Sequence, residues 1–553
     1  MRILSSFSGY RPAWLRYDVV AGLTVWAVLV PESLAYATIA GVSPVVGLYA
    51  AVPALLLYLV FGSSRHLVVG AMSATAALSA GIIGDLARTG TASYVGLTTA
   101  LALTTGVLGI VAGLLRLGFL ATFISEPVLK GFIIGLALTI MVGQLPKLFG
   151  VEKGSGNFFE KLADLIGELG DTQLLTLAIG LASLAIVLLL KRFVPLLPGA
   201  LVVVVLGIAV VSAAHLDKHG VAIVGHIDSG LPRFGLPQHV PNWHSYLDLA
   251  GPAIGVLLVG FAEGLGAAKT YAEKHGYDVD ANAELIGLGA ANLGSGLSSG
   301  MVVNGSLSKT AVNGGAGARS QLSGATVAVL TIVTLLFLTG LFQQLPEATL
   351  AAVVIAAVIE LVDISALRRL YRVSTGRLSR IYRLATRVDF IAALAAMLGV
   401  LLFDTLPGLV IGIAVSLVLL LYRASRPHLA VLGRAATGAW VDRDRDPAAT
   451  PAPRAVVVRV ESGLFFANAD HVRTGIRDLA HDSDADIVVL DAETVPTVDV
   501  TAADMLTQLA TDLRRDRVEL RVARDIGQVR DILRTTHADD LAVYRSIDDA
   551  LRP

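Results

Sequence analysis

The sequence predicts an α-helical polytopic membrane protein that ends in a small α/β domain. Three observations carry that expectation. Apolar stretches long enough to cross a bilayer recur between Val19 and Tyr422. A Gly/Ser-rich polar run, Asn304-Gly-Ser-Leu-Ser-Lys-Thr-Ala-Val-Asn-Gly-Gly-Ala-Gly-Ala-Arg319, lies between two of them. Beyond Arg426 the chain turns charged, and short β-branched runs alternate with helical spacing.

The 553 residues are 54% hydrophobic and only 16% charged, against roughly 25% charged in soluble domains. The mean hydropathy is +0.70. A net charge of -1 sums opposite local excesses and points to no class of partner. There is no cysteine, which excludes disulfides, thiolate metal sites and cysteine nucleophiles. The first apolar run begins at Val19 and leads into further spans, so no cleavable signal peptide is expected.

Twelve spans are clear from hydropathy. Six lie in the first half: Val19–Ile39, Val46–Phe61, Tyr94–Leu115, Ala121–Gln144, Thr172–Leu190 and Leu197–Ala214. Six follow a polar stretch: Leu249–Ala268, Leu285–Leu297, Gln321–Phe342, Ala348–Val362, Phe390–Phe403 and Leu409–Tyr422. Two further segments, Gly70–Gly84 and Ser306–Gly315, are short and rich in small residues. They bring the expected crossings to about fourteen. Each stands third in its half, the pattern of an inverted repeat whose broken helices meet near the midplane. Irregular polar backbone is tolerated at membrane depth only where protein buries it or a cavity receives it.

With the N-terminus inside, the inner loops hold Arg65, Arg116, Lys191 with Arg192, Lys269 with Lys274, and Arg319. The strongest marker is Arg368, Arg369, Arg372, Arg377, Arg380, Arg383 and Arg387. Between two apolar spans such a run is a topogenic loop rather than a nucleic-acid contact. The longer connections Lys147–Asp171 and Asp217–Asp248 then face outward. The expected domains are therefore a transport domain over 1–425 (repeats about 12–216 and 245–425), a linker over 426–453, and a cytoplasmic tail domain over 454–553.

In the tail, Ala455–Val460, Asp486–Leu490 and Val518–Val522 read as strands, and Asp470–Leu479, Ala502–Leu513 and Ile526–Arg534 as helices. Arg426–Arg454 reads as a linker, least structured at Pro447-Ala-Ala-Thr-Pro-Ala-Pro453. No phosphate-cradling glycine loop follows a strand and no metal-ligand spacing occurs, so an enzymatic tail is not expected.

These residues resemble the SulP family of anion transporters, bacterial relatives of the solute carrier 26 proteins. The resemblance rests on Asp18-Val-Val-Ala-Gly-Leu-Thr24 with Val30-Pro-Glu-Ser-Leu-Ala-Tyr-Ala37, and on Gly260-Phe-Ala-Glu-Gly264. It continues through Ala283-Glu-Leu-Ile-Gly-Leu-Gly-Ala-Ala-Asn-Leu293, Ser308-Lys-Thr-Ala-Val-Asn313 and Ala316-Gly-Ala-Arg-Ser-Gln-Leu322. The tail is similar to a STAS domain through Gly463-Leu-Phe-Phe-Ala-Asn-Ala469 and Val488-Val-Leu-Asp-Ala492 before Val498-Asp-Val-Thr501. The resemblance implies a seven-plus-seven inverted repeat, with a core of spans 1–4 and 8–11 and a gate of the rest. It also implies a homodimer in the bacterial cytoplasmic membrane, an elevator-like movement, no enzymatic activity and no cofactor. Nucleobase transporters share this fold class but carry a carboxylate in the tenth segment, where this chain has serines and a lysine.

A helix starting near Ser306 leaves its first amides without intrahelical acceptors. Those amides and the hydroxyls of Ser306 and Ser308, with Asn304, Gly305 and Leu307, can receive an anion. Met72, Ser73 and Ala74 supply a second helix start facing the first. Lys309 stands where the family is often basic and would attract anions; a lysine snorkelling to the interface is the competing reading. Glu32 departs from the Pro-Gln common in the family, at a position that with Tyr36 contacts the site. A carboxylate at a helix centre costs roughly 2.5–3.5 kcal/mol, a cost that protonation removes, and a nearby bound anion favours protonation further. Glu32 is thus a candidate for proton coupling, and permanent pairing with Lys309 is the alternative. Glu263 matches the family's cation-coupling acid. One turn on, where sodium-coupled relatives have a hydroxyl, this chain has Ala267, which favours protons over sodium. Glu126 and Lys130 are spaced for a helix salt bridge. Thr501 occupies the phosphorylation position of bacterial STAS proteins, but its neighbours Val500 and Ala502 depart from the usual pattern.

The expected function is proton-coupled symport of sulfate, bicarbonate or a dicarboxylate. Sodium-coupled bicarbonate uptake, anion exchange and an uncoupled channel are the alternatives.

Overall fold

The computed structural model describes the chain except residues 1–2, 8, 120–124, 153, 155, 195–196, 228, 241, 376–387, 404, 536–540 and 553. Arg377, Arg380, Arg383 and Arg387 lie outside the described residues. The chain divides into two compact units, Met1–Arg368 with Ile391–Ile413, and Arg369–Phe390 with Ala414–Pro553.

The first half runs α1 (Leu15–Ile39), α2 (Val45–Phe61), β1 (Val68–Gly70), α3 (Ser73–Gly84), α4 (Ala92–Leu114), α5 (Glu126–Phe149), α6 (Phe158–Glu168), α7 (Leu174–Phe193) and α8 (Gly199–Ala214). After a short α9 (His244–Asp248) come α10 (Ala250–His275), α11 (Ala281–Leu297), β2 (Asn304–Ser306) and α12 (Leu307–Gly315). The set closes with α13 (Leu322–Val333), α14 (Glu347–Val358), α15 (Ile364–Thr375), α16 (Val388–Phe403) and α17 (Thr405–Ser425). Among the described residues, seven helices are long and apolar enough to cross a bilayer, and five more are apolar but shorter. Among the same residues, each of the segments expected from hydropathy overlaps a helix or a strand–helix piece.

Packing repeats between the halves. α1 packs on α13 as α10 packs on α4, and α2 packs on α13 as α11 packs on α4. α1 touches α12 as α10 touches α3. Exchanging the halves therefore maps these contacts onto themselves, as an inverted repeat requires. The remaining spans form a second bundle in which α14 packs on α5 and α7. Glycine allows close approach there: a Cβ at Gly131 of α5 would collide with the Ala393 carbonyl of α16. The first bundle meets the second through α1 on α8 and α14, and α3 on α5.

The third segments are strand–helix pieces. α3 and α12 have 12 and 9 residues, far short of the about 20 that spanning takes. Each follows a three-residue strand, and β1 and β2 pair antiparallel, with Val68 opposite Ser306, Val69 opposite Gly305 and Gly70 opposite Asn304. Strand pairing satisfies backbone groups that would otherwise be stranded at membrane depth.

The second unit holds a six-stranded sheet in the order β4-β3-β5-β6-β7-β8. Its strands are β3 (Leu429–Arg434), β4 (Trp440–Asp442), β5 (Ala455–Val460), β6 (Ile487–Asp491), β7 (Glu519–Ala523) and β8 (Ala542–Tyr544). β5 to β8 are parallel, while β3 runs antiparallel to both β4 and β5. The helices are α18 (Ala469–Asp482), α19 (Val500–Arg515), α20 (Gly527–Thr535) and α21 (Ile547–Ala550). Val456, Val458 and Val460 enter one apolar cluster and Val457 the other. A parallel strand buried on both faces reads as one continuous apolar run.

Residues 426–453, expected to be a linker, instead contain the hairpin β3–β4. The reversal is made at 435–439, where Gly438 takes φ +86° and the Ala435 amide bonds the Ala439 carbonyl. Even Thr450, inside the proline-rich piece, exchanges two backbone hydrogen bonds with Arg434.

Candidate functional site

The site is built where β1 and β2 join. Both strands are buried throughout, and their pairing brings the starts of α3 and α12 together. At α3 the preceding residue, Met72, is extended and offers no side-chain cap. Met72, Ser73 and Ala74 are all buried. At α12 the Ser306 hydroxyl accepts from the Lys309 amide at 3.3 Å and contacts the Ser308 hydroxyl at 3.1 Å. Ser306 is buried, while Leu307 and Ser308 are exposed. Each helix presents amides without intrahelical acceptors, equivalent to about half a positive charge.

The Lys309 side chain, 1% exposed, turns inward. Its ammonium donates to the Ala71 carbonyl at 2.8 Å, lies 3.1 Å from Glu32 Oε2, and stands 5.0 Å from the centre of the Tyr36 ring. Snorkelling to the interface is therefore ruled out. Pro31 lacks the amide that would bond the Ala27 carbonyl, so Glu32 sits beside a break in the α1 ladder. Tyr36 follows one turn later on the same face. The Glu32–Lys309 contact lacks hydrogen-bond alignment, leaving Oε2 without a donor. Buried pairs in this condition sit near balance between desolvation and attraction.

Asn304 packs against the turn of α10 that carries Glu263. A Cβ at Gly260 or Gly264 would meet its amide at 3.1–3.3 Å. Asn304 Nδ2 and Glu263 Oε2 are both buried without partners, and Glu263 is near enough to Lys309 for their charges to interact. Ala267, one turn on, is buried and offers no oxygen from its side chain. Among the described residues no group of three His, Asp or Glu could hold a metal ion.

The structure thus gathers Glu32, Tyr36 and Lys309 around the α3 start, with Asn304 and Glu263 beside them. Glu126 and Lys130 form their expected pair at 2.5 Å on the surface of α5. Thr501 is exposed in the first turn of α19, behind the Asp499 cap.

Sequence reasoning missed the residues that hold this geometry. The loop before β1 is fixed by side chains from the second half. Glu284 accepts from Tyr58 Oη at 2.6 Å, from Ser63 N and Oγ at 2.8 and 2.7 Å, and from Ser64 N at 3.0 Å. Gln321 donates to the Ser64 and Leu67 carbonyls, and Asn313 to the His66 carbonyl. His66 Nε2 meets the Ala318 carbonyl and Nδ1 the Tyr277 hydroxyl, both at 3.0 Å. That arrangement fixes the neutral tautomer with hydrogen on Nε2. Burial, then the stacked His275 ring, hold the His66 imidazole down at about 4. Asp18 accepts from the Arg319 and Ser320 amides and the Ser320 hydroxyl, closing the turn after α12. Asp18 and Glu284 lie inside the motifs that carry the family resemblance, where an acid among apolar residues is the available signal.

Comparisons with known proteins bear on the family and the fold. Residues 15–382 match the sulfate permease family and 446–550 the STAS domain. A probable sulfate transporter of Mycobacterium tuberculosis is 36% identical over 531 residues, covering 96% of this chain and 92% of its own. A chloroplastic sulfate transporter of Arabidopsis thaliana is 30% identical, covering 92% and 75% respectively. Among solved structures, the murine solute carrier 26 member A9 anion transporter, in its inward-facing state, superposes with a TM-score of 0.86 at 24% identity. That match covers 99% of this chain and 93% of the murine one. The transmembrane domain of a cyanobacterial bicarbonate transporter matches with a TM-score of 0.63 at 22% identity, over 73% of this chain and 98% of its own.

Proposed function

We propose that this chain, which belongs to the sulfate permease family and ends in a STAS domain, carries a small oxyanion or carboxylate across the membrane by proton-coupled symport. The family is one of transporters, not enzymes. The observation that carries the reading is the antiparallel join of β1 and β2, which turns two helix starts toward each other beside one buried lysine. Amides and hydroxyls fit sulfate, bicarbonate or a dicarboxylate alike. Sulfate is the first to test, because the Mycobacterium and Arabidopsis relatives are named for it.

Coupling follows from the charges. An anion at the helix starts competes with Glu32 for the Lys309 ammonium. When Glu32 takes a proton the ion pair opens, and Lys309 turns its charge to the anion. Anion and proton then load together. Glu263, with an oxygen lacking any partner, is the second group able to hold the proton. The missing hydroxyl at Ala267 weighs against sodium.

The strand pair makes the two helix starts one piece, so the α1–α4 and α10–α13 bundle moves as a body past α5, α7, α8, α14, α16 and α17. This is an elevator movement. The protein works as a homodimer in the bacterial cytoplasmic membrane, with its N-terminus and STAS domain on the cytoplasmic side.

The test is sulfate, bicarbonate and fumarate flux into proteoliposomes under imposed gradients. Uptake should rise with an inward proton gradient and fall on adding a protonophore. Uptake driven by sodium alone, strict counter-anion dependence, or conductance without accumulation would each replace proton symport with the corresponding alternative.

A further inference from the structure

α15 is the most sharply amphipathic helix among the membrane elements, and the anion site makes no use of it. Its sequence is Ile-Ser-Ala-Leu-Arg-Arg-Leu-Tyr-Arg-Val-Ser-Thr. At about 100° per residue, Arg368, Arg372 and Arg369 occupy one arc, with Ser365 among them. Ala366, Leu370 and Leu367 form the opposite arc and are buried or half-buried. Ile364 and Tyr371 fall between these arcs and next to the arginines, yet they are 55% and 54% exposed.

The helix therefore has three faces: one covered by protein, one apolar and uncovered, and one cationic. All three arginines are exposed, and none forms an ion pair among the described residues. The position in the chain fixes the surroundings. α15 lies between the apolar helices α14 and α16, both short candidates for the bilayer, so it cannot stray far from a membrane surface. The Tyr371 ring also packs edge-on against Phe390 at the start of α16, 5.5 Å between centres. A Tyr at that level has its ring in the apolar boundary and its hydroxyl toward water.

Uncovered apolar residues beside exposed guanidinium groups complement an anionic lipid surface. Guanidinium matches a phosphodiester geometrically as well as in charge, and near-surface arginines are attracted to negative headgroups. We propose that α15 lies in the plane of the bilayer surface, with Ile364 and Tyr371 at the acyl boundary and Arg368, Arg369 and Arg372 on the phosphates of anionic phospholipids. This inference does not depend on which anion is transported or how.

The test uses the full-length protein in neutral detergent, titrated with dioctanoyl phosphatidylglycerol, dioctanoyl phosphatidylcholine or inorganic phosphate, with bound lipid read by native mass spectrometry. Phosphatidylglycerol should bind in preference to phosphatidylcholine. The triple variant R368Q/R369Q/R372Q should weaken phosphatidylglycerol binding by between about tenfold and 100-fold. It keeps the later arginines of the loop, so its topology signal survives. R368K/R369K/R372K should bind within a few-fold of the unaltered protein, and I364S/Y371S should bind lipid more weakly. Undiminished binding in the Gln variant, or equal loss in the Gln and Lys variants, would overturn the proposal. So would full displacement of lipid by an equal concentration of inorganic phosphate, which would make this a site for free phosphate.

Discussion

Glu32→Gln is the sharpest probe of the central ion pair. At 3.1 Å and an effective dielectric of ~20, the two charges attract by roughly 5 kcal/mol. Desolvation opposes most of that, so the pair contributes little net stability. Removing one member is different: it leaves a Lys309 ammonium, 1% exposed, with no ion-pair partner in contact, only the Ala71 carbonyl, the Tyr36 ring and the more distant Glu263. Breaking a buried pair in this way costs about 3–5 kcal/mol. A transported anion would then replace the lost carboxylate as the counter-charge. The expected outcome is a lower melting midpoint in detergent and a larger stabilisation by saturating sulfate than the unaltered protein shows. Proton-driven flux should vanish while sulfate binding persists. The double variant E32Q/K309M should recover much of the stability and lose sulfate binding. An E32Q protein with unaltered melting, unaltered sulfate response and unaltered pH dependence of flux would refute the reasoning, because Lys309 would then need neither partner.

Further expectations rest on other parts of the structure. Ser306→Ala removes the α12 cap, whose hydroxyl accepts the Lys309 amide; it should cost about 1 kcal/mol and raise the apparent Kd for every transported anion, as isothermal titration would show. Gly131→Leu places atoms where a Cβ already collides with Ala393, so folded yield by size-exclusion chromatography should fall sharply, consistent with overpacking costs of about 1–3 kcal/mol or more. His66 is held at about 4 against an unfolded value near 6.5. Between those values the unfolded chain binds the extra proton, so stability rises with pH there and is lost as pH falls from about 6.5 toward 4. The loss approaches roughly 3 kcal/mol by linkage, and replacing His66 with Gln should flatten the melting midpoint over that interval.

How much was legible in the sequence depended on whether the signal was periodic. Long apolar runs such as Tyr94–Leu115 and Thr172–Leu190 state their structure by length alone. The two short third segments were recognisable because small polar residues at membrane depth need surrounding protein or a cavity to receive them. Glu32 stood out as a charge inside an apolar span, and Lys309 as a cation in the polar run between two of them. What could not be read was anything made by long-range pairing. The Ala71 carbonyl that receives the lysine is a backbone group with no mark in the sequence. Gln321 and Asn313 look like ordinary polar residues until the loop before β1 folds onto them. The hairpin β3–β4 was hidden by the proline-rich stretch after it, since strands of six and three residues are too short to show an alternation.

That hairpin decides where the tail could be separated from the rest. β3 covers the outer edge of β5, pairing Leu429 to Leu432 with Val460 to Val457. A fragment starting after Pro453 would bare the edge of a valine-rich strand from Val457 to Val460, an invitation to stack with its own copies. A soluble fragment meant for crystallisation or binding studies should therefore begin upstream of Leu429, even though half of the added residues look like spacer.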